Sequence, residues 1–201
     1  LVVYMDAAME MLRGQHPKKE ILPGGILYYH IDDPVLESDT PLSDKEAEQA
    51  LLFALRPDGL VNSGEEIYRA MDQNFEGKSQ MIPVEIKKNG EISTARSKVA
   101  STEEFAVITR YVEHEIRQCG EAIYAGNIAV NPYRSDIETS CTYCPYGSVC
   151  GMDAKIPGYE YRQFASMKKE EVLDQMQTEL ARNRGKEERS DEMDEGTAER
   201  H

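Results

Sequence analysis

Three cysteines towards the C-terminal end of the chain carry the clearest chemical signal in the sequence. Cys141, Cys144 and Cys150 lie in the segment CTYCPYGSVC, with the spacing C-x2-C-x5-C. Two thiolates two residues apart can bind one metal ion or two corners of one cluster. Structural zinc sites usually take their ligands as two such pairs, whereas iron–sulfur sites often combine three neighbouring cysteines with a remote fourth. The spacing therefore predicts a metal site and leaves iron–sulfur and zinc both open.

A fourth ligand for this site could come from Cys119, which lies 22 residues before Cys141. Cys119 falls on the apolar face of a long predicted helix, where a free cysteine packs as a small apolar residue. Core packing is therefore the favoured interpretation of Cys119, because free cysteine is among the most buried residue types. A ligand outside this sequence is the alternative, and three reduced thiols without a metal are the least favoured interpretation.

Composition restricts the class of protein that could carry such a site. The 201 residues, of which 40% are hydrophobic, are long enough to bury a core. No apolar run approaches the roughly 18 residues of a membrane span, and no signal peptide opens the sequence, so we expect a cytoplasmic protein without a membrane partner. The net charge of −14 argues against a free-standing nucleic-acid binder. Because the first residue is Leu1, we expect a processed chain or a fragment.

Local patterns predict an α+β fold around the cysteine segment. The pattern S-x-x-E, which is typical of a helix capping box, begins at Ser43, Ser63 and Ser101. Asn89-Gly90 lies between two strand-like runs and predicts a hairpin. The expected elements, in order, are a helix over 1–13 ended by Gly14, a strand over 26–31, a helix over 43–55, a turn over 56–59, a helix over 63–75, the hairpin over 81–94, a helix over 101–126 and a helix over 168–184.

Three segments of the sequence together resemble the AddB family, whose members are subunits of bacterial ATP-dependent helicase/deoxyribonucleases. The cysteine segment resembles the C-terminal cluster motif of that family. The segment GGILYYHIDDP, residues 24–34, resembles the strand that follows its last nuclease helix. VVYMDAA, at the start of the chain, resembles the helix that carries its Q-x-x-x-Y motif. The resemblance extends from Leu1 to about Arg162, with the three segments in the expected order.

The resemblance implies an α/β nuclease-core remnant, the C-terminal part of a RecB-like PD-(D/E)XK nuclease domain with an iron–sulfur knot. This part would cover residues 1–166, followed over 167–201 by a helix and a disordered charged tail. Cys141, Cys144 and Cys150 would be three ligands of a 4Fe–4S cluster whose fourth cysteine lies far upstream. The cluster would tie the ends of the nuclease domain together.

The resemblance also assigns a supporting catalytic role to Tyr4, as the tyrosine of the Q-x-x-x-Y motif. Without the resemblance, Tyr4 is one more aromatic residue on a buried helix. The glutamine of the motif would directly precede Leu1, and the carboxylates and lysine that serve Mg²⁺ chemistry would lie further upstream. Glu85 and Lys87 form an E-x-K pattern, but they follow the Q-x-x-x-Y helix, which is the wrong order for the family. We interpret that pattern as coincidence on the solvent face of a hairpin strand.

The function implied by the resemblance is ATP-dependent resection of double-strand breaks in recombinational repair. The partner would be an AddA-type helicase/nuclease subunit in a heterodimer, acting on double-stranded DNA ends and single-stranded DNA, and this fragment alone would be inactive. A Cas4-like RecB-type exonuclease is one alternative, although about 137 residues between Tyr4 and Cys141 are long for it. A non-catalytic zinc-binding module, with Cys119 as fourth ligand, is the other.

Overall fold

A computed structural model of the chain describes residues 1–31, 34–38, 40–73, 75–136 and 138–198, without the side chains of 185–198. Helices and short strands are mixed along the chain, which confirms the predicted α+β class. The chain divides into two compact units, Leu1–Val112 and Glu113–His201. No helix in the described part of the chain is both long and apolar enough to cross a membrane.

The first unit is built on a three-stranded sheet. Its elements are α1 (Val2–Gln15), β1 (Gly25–Tyr28), α2 (Asp44–Ala54), β2 (Asp58–Asn62), α3 (Glu65–Met71), β3 (Val99–Ala100) and the first part of α4 (Thr102–Tyr124). The strand order is β1-β2-β3, with β1 antiparallel and β3 parallel to the central β2. In this register Ile26 lies opposite Leu60, and Val61 lies opposite Val99.

The core of the first unit surrounds the central strand. Val61 of β2 is fully buried, and the rings of Tyr68 and Phe75 pack edge to face with centroids 6.2 Å apart. The remaining members of this cluster come from the segment between α3 and β3; they are Ile82, Val84, Ile86 and Val99. Burial of this apolar area is the main source of stability for the sheet.

Two of the three predicted capping boxes are confirmed. At α2, Ser43 Oγ accepts the Glu46 N–H, and the Glu46 carboxylate accepts the Ser43 N–H at 2.9 Å. The same exchange joins Ser101 and Glu104 at the start of α4.

The third box is wrong, because the N-cap of α3 is Gly64 rather than Ser63. The Gly64 N–H donates instead to Oδ1 of Asn62 at 2.9 Å, so a side chain from β2 replaces the expected serine. The helix also ends earlier than predicted, at Met71.

Three boundaries in the first unit differ from the prediction. Gly14 does not cap α1, because the helix continues through Gln15 and the His16 N–H donates to Leu12 O at 2.8 Å. The predicted turn over 56–59 contains the start of β2, where Gly59 has φ +144°. The hairpin turn forms with Gly90 at φ +86°, but its strands are reduced to isolated bridges such as Ile86 with Ile92.

The second unit contains the end of α4 and four further elements. These are β4 (Tyr133–Arg134), α5 (Gly147–Cys150), β5 (Arg162–Gln163) and α6 (Lys169–Ala198). β4 and β5 form a parallel two-stranded sheet. α6 covers the predicted helix and continues into the segment for which the sequence predicts disorder; the last three residues of that segment lie outside the described residues. The division at residues 166 and 167 stays a prediction.

Candidate metal centre

The base of the cysteine loop is closed by the pairing of β4 with β5. Tyr133 lies opposite Arg162, and Arg134 lies opposite Gln163. The Phe164 N–H donates to Arg134 O at 2.8 Å, and the rings of Tyr133 and Phe164 pack edge to face at 5.7 Å. All three cysteines of the predicted site therefore belong to one loop whose two ends are held side by side.

Local hydrogen bonds shape the loop around each cysteine. The Cys141 N–H donates to Oγ1 of Thr139 at 3.2 Å, and Thr139 itself forms an antiparallel bridge with Arg134 of β4. The Cys144 N–H donates to Cys141 O at 3.3 Å, which turns the C-x2-C segment tightly. Cys150 is the last residue of the single-turn helix α5. The loop is thus ordered by its own backbone and by one threonine side chain.

The three thiols are free and accessible. Cys141 is half-buried, whereas Cys144 and Cys150 are exposed. Among the side chains that the structure describes, no three from His, Cys, Asp and Glu lie close enough together to bind a metal ion. Three soft sulfur donors on one loop fit the chemistry of an iron–sulfur cluster or a zinc ion. Binding would require the loop to close around the metal and a fourth ligand to complete the site.

Cys119 does not occupy the predicted core position. Its thiol is exposed on α4, although the same predicted apolar face buries Phe105 near the start of the helix. The burial decreases along the helix: Ile116 is already 53% exposed. The prediction that Cys119 packs as a buried apolar residue is therefore wrong, and its thiol is chemically accessible.

Tyr161 is a neighbour of the cysteine loop that the sequence analysis missed. The guanidinium of Arg134 lies over its ring, 4.7 Å from the centroid. The hydrogen-bonding interaction of its hydroxyl with the Cys141 thiol raises the pKa of Tyr161; Arg134 and Thr139 act in the opposite direction. No local sequence signal marks Tyr161, since its position depends on the β4–β5 pairing. Tyr161 thus joins the far side of the loop to the first cysteine.

Tyr4, the other candidate residue, lies on α1 in the first unit. All 14 residues of α1 are at least partly exposed, and Tyr4 itself is 78% exposed. The interpretation of Tyr4 as an aromatic residue on a buried helix is therefore wrong. Its hydroxyl is open to solvent and could contact another group.

The E-x-K pattern of Glu85 and Lys87 has ordinary structural partners. The Glu85 carboxylate forms an ion pair with Arg96 at 2.8 Å, and Lys87 lies 4.0 Å from Glu91. Ion pairs of this kind lie at many protein surfaces and contribute little to stability. These contacts are those of a surface hairpin.

Curated relatives of this chain are named as the AddB subunit of an ATP-dependent helicase/deoxyribonuclease. The protein from Thermoanaerobacter sp. (strain X514) is 37% identical over 180 residues, which cover 90% of this chain and 15% of the relative. The protein from Lachnoclostridium phytofermentans is 38% identical over 181 residues, covering 86% of this chain and 15% of the relative. A Clostridium botulinum (strain Hall) relative is 36% identical over 90% of this chain and 16% of its own length. The chain thus spans about 15% of the length of these relatives.

The family comparison covers most of the chain, including both candidate regions. The family described as the PD-(D/E)XK nuclease superfamily matches residues 1–151, which include Tyr4 of α1 and all three cysteines of the loop. The match accounts for the mixed helix and sheet architecture. The chain belongs to the PD-(D/E)XK nuclease superfamily.

Proposed function

We propose that this chain is the C-terminal part of the nuclease domain of an AddB-type subunit of an ATP-dependent helicase/deoxyribonuclease. The observation that carries the proposal is the continuous nuclease-family match over residues 1–151, together with AddB relatives that match 86–90% of the chain. The full-length protein would degrade DNA from double-strand ends and so prepare them for recombinational repair.

The cofactor of this proposal is a 4Fe–4S cluster. Cys141, Cys144 and Cys150 would hold three of its corners, and the fourth ligand would come from elsewhere in the full-length protein. Support comes from three free thiols that lie on one loop with its ends paired by β4 and β5. When bound, the cluster would supply binding energy that becomes folding energy. The cysteines would hold distant parts of the nuclease domain together, a structural role.

The nuclease chemistry would need groups beyond the cysteines. Tyr4 would have a supporting role, in which its exposed hydroxyl touches a DNA phosphate or orients an active-site group. The ligands of Mg²⁺ and ATP would lie outside this chain, and so would the basic surface that binds DNA. The net charge of −14 supports this division, because a DNA channel must be basic. An AddA-type subunit would be the partner, and single-stranded DNA and double-stranded ends would be the substrates of the complex in the cytoplasm.

The test is the metal content of the full-length protein, purified anaerobically with its partner subunit. We expect about four irons and about four acid-labile sulfides per chain, with a brown colour. Cys144→Ala should lose the iron, whereas Cys119→Ala, at a second accessible thiol, should keep it. Linear double-stranded DNA should be degraded by the wild-type complex in the presence of Mg²⁺ and ATP. Absence of iron in the wild type would refute the proposed cofactor, and DNA degradation independent of ATP would favour the Cas4-like alternative.

A zinc-binding module is the second candidate, and the exposure of Cys119 favours it. An accessible thiol on α4 is available as a fourth ligand, whereas a buried one would not be. This candidate predicts colourless protein with one zinc per chain, lost from Cys119→Ala as readily as from Cys144→Ala. The matched pair of variants therefore separates the two candidates in one measurement.

A further inference from the structure

Tyr161 is held in place by the small sheet at the base of the cysteine loop. It directly precedes β5, whose Arg162 N–H donates to Pro132 O at 2.9 Å beside β4. On the neighbouring strand, the Arg134 guanidinium covers the tyrosine ring at 4.7 Å, within the range of a cation–π contact. The ring is half-buried. Backbone pairing and ring packing therefore fix where its hydroxyl lies.

The Tyr161 hydroxyl lies where the loop reaches its first cysteine. Thr139, bridged to Arg134, accepts the Cys141 N–H with its Oγ1 at 3.2 Å. Both Thr139 and Cys141 interact with the Tyr161 hydroxyl through their side chains. Three separate segments of the chain thus converge on one phenol group and one thiol.

We propose that Tyr161 is a positioning residue for Cys141, with its O–H donating a hydrogen bond to the Cys141 sulfur when that sulfur is a ligand. The inference rests on the proposed cluster and deepens it, because it names a group outside the cysteine motif that acts on the cofactor. A phenol is a strong donor to a thiolate, and it remains protonated at neutral pH. Partners of this kind orient a ligand and tune the metal it binds. Hydrogen bonds to the sulfurs also change the reduction potential of an iron–sulfur cluster.

The experiment compares Tyr161→Phe with Tyr143→Phe in the full-length protein, purified anaerobically with its partner subunit. The first variant removes the hydroxyl and keeps a ring beneath Arg134, so the packing is retained. The matched control removes the hydroxyl of Tyr143, which belongs to the same loop but is 88% exposed. The readouts are iron and sulfide content, the midpoint potential of the cluster, and the rate of iron loss to a chelator.

We expect Tyr161→Phe to assemble the cluster with a more negative midpoint potential, because the hydrogen bond to sulfur stabilises the more negatively charged reduced state. Iron loss to the chelator should be about tenfold faster than in the wild type. Tyr143→Phe should match the wild type in both measurements. A Tyr161→Phe protein identical to the wild type would overturn the inference while leaving the cluster standing, and so would equal changes in both variants. Wild-type protein without iron would overturn the proposed cofactor and the inference together.

Discussion

Asn62 and Thr102 are joined by a hydrogen bond of 3.0 Å between the Asn62 amide nitrogen and the Thr102 hydroxyl, across 40 residues of sequence. The same nitrogen donates to Pro23 O at 2.8 Å, and the amide oxygen accepts the Gly64 N–H at 2.9 Å. Asn62 is 1% exposed, so these bonds replace those it would make with water. One side chain at the end of β2 therefore links the segment before β1 with the starts of α3 and α4.

We expect Asn62→Ala to destabilise the sheet of the first unit by about 2 kcal/mol, because it leaves buried polar groups without partners. Amides of β2 in the full-length protein should then exchange about 30-fold faster, as measured by hydrogen–deuterium exchange mass spectrometry. Thr102→Val removes one of the three bonds and should cost about 1 kcal/mol, or about fivefold in exchange. Unchanged protection in Asn62→Ala would contradict the linking role of this residue.

Gly59 allows β1 and β2 to approach each other closely. A Cβ at this position would lie 2.1 Å from Ile26 O and 2.9 Å from Leu27 Cα, and both are backbone atoms that the ladder fixes. Gly59 also has φ +144°, where other residues are strained. We expect Gly59→Ala to cost about 3 kcal/mol, from strain together with weakened strand pairing.

Limited proteolysis of the full-length protein measures this effect when cleavage is slower than reclosing, since the rate then follows the population of the open state. Gly90→Ala is the matched control. Gly90 also has a positive φ, +86°, but a Cβ there would have no neighbour within 4 Å. Its cost should be about 1 kcal/mol, from backbone strain alone. Equal sensitivity of the two variants would mean that close approach of the strands does not determine the requirement for Gly59.

The sequence predicted those features that depend on residues close together in the chain. The capping box of Ser43 and the turn at Asn89-Gly90 involve bonds within four residues, and both form as expected. The spacing of the cysteines likewise placed them correctly on one loop. Local rules work here because the same few residues supply both partners of each bond.

Features that depend on distant pairing were missed. β2 is the central strand of its sheet, yet its segment DGLVN begins with turn residues and resembles a turn until β1 and β3 flank it. Asn62 and Tyr161 owe their roles to partners that lie more than 20 residues away in the chain. Their importance follows from the topology, and single-sequence patterns carry no information on it. The accessibility of Cys119 was missed for a related reason, since helical spacing identifies a face but cannot tell how far a neighbour covers it.

The ion pair of Asp58 and Lys98 should give the first unit a specific pH dependence. The hydrogen bond from Lys98 Nζ, at 2.7 Å, lowers the pKa of Asp58 in the folded chain. A carboxyl with a lowered folded pKa contributes stability above its unfolded pKa, which is about 3.9, and loses it as the pH falls through the folded value. Since both side chains are more than half exposed, the contribution should stay below about 1 kcal/mol.

Urea unfolding of the wild type and Asp58→Asn at a series of pH values measures this contribution. The wild type should be the more stable protein by a constant amount above about pH 5, and the difference should disappear below about pH 3. Glu65→Gln is a suitable control, because Glu65 lies 3.9 Å from Arg69 in a weaker pair on α3. A difference between wild type and Asp58→Asn that grows as the pH falls would have the wrong sign for a lowered pKa.

Tyr4→Phe separates a role in DNA cleavage from a role in folding. Because Tyr4 is 78% exposed, loss of its hydroxyl should change the stability of α1 by less than about 0.5 kcal/mol. Loss of a hydrogen bond to a phosphate or an active-site group should slow DNA degradation by the full-length complex about tenfold, with ATP hydrolysis unchanged. Tyr124→Phe, at a tyrosine that is 97% exposed on α4, should alter neither activity. Tyr4→Phe with wild-type degradation of linear DNA would remove Tyr4 from the proposed nuclease site, while leaving the cysteine loop and its metal to be judged by iron content alone.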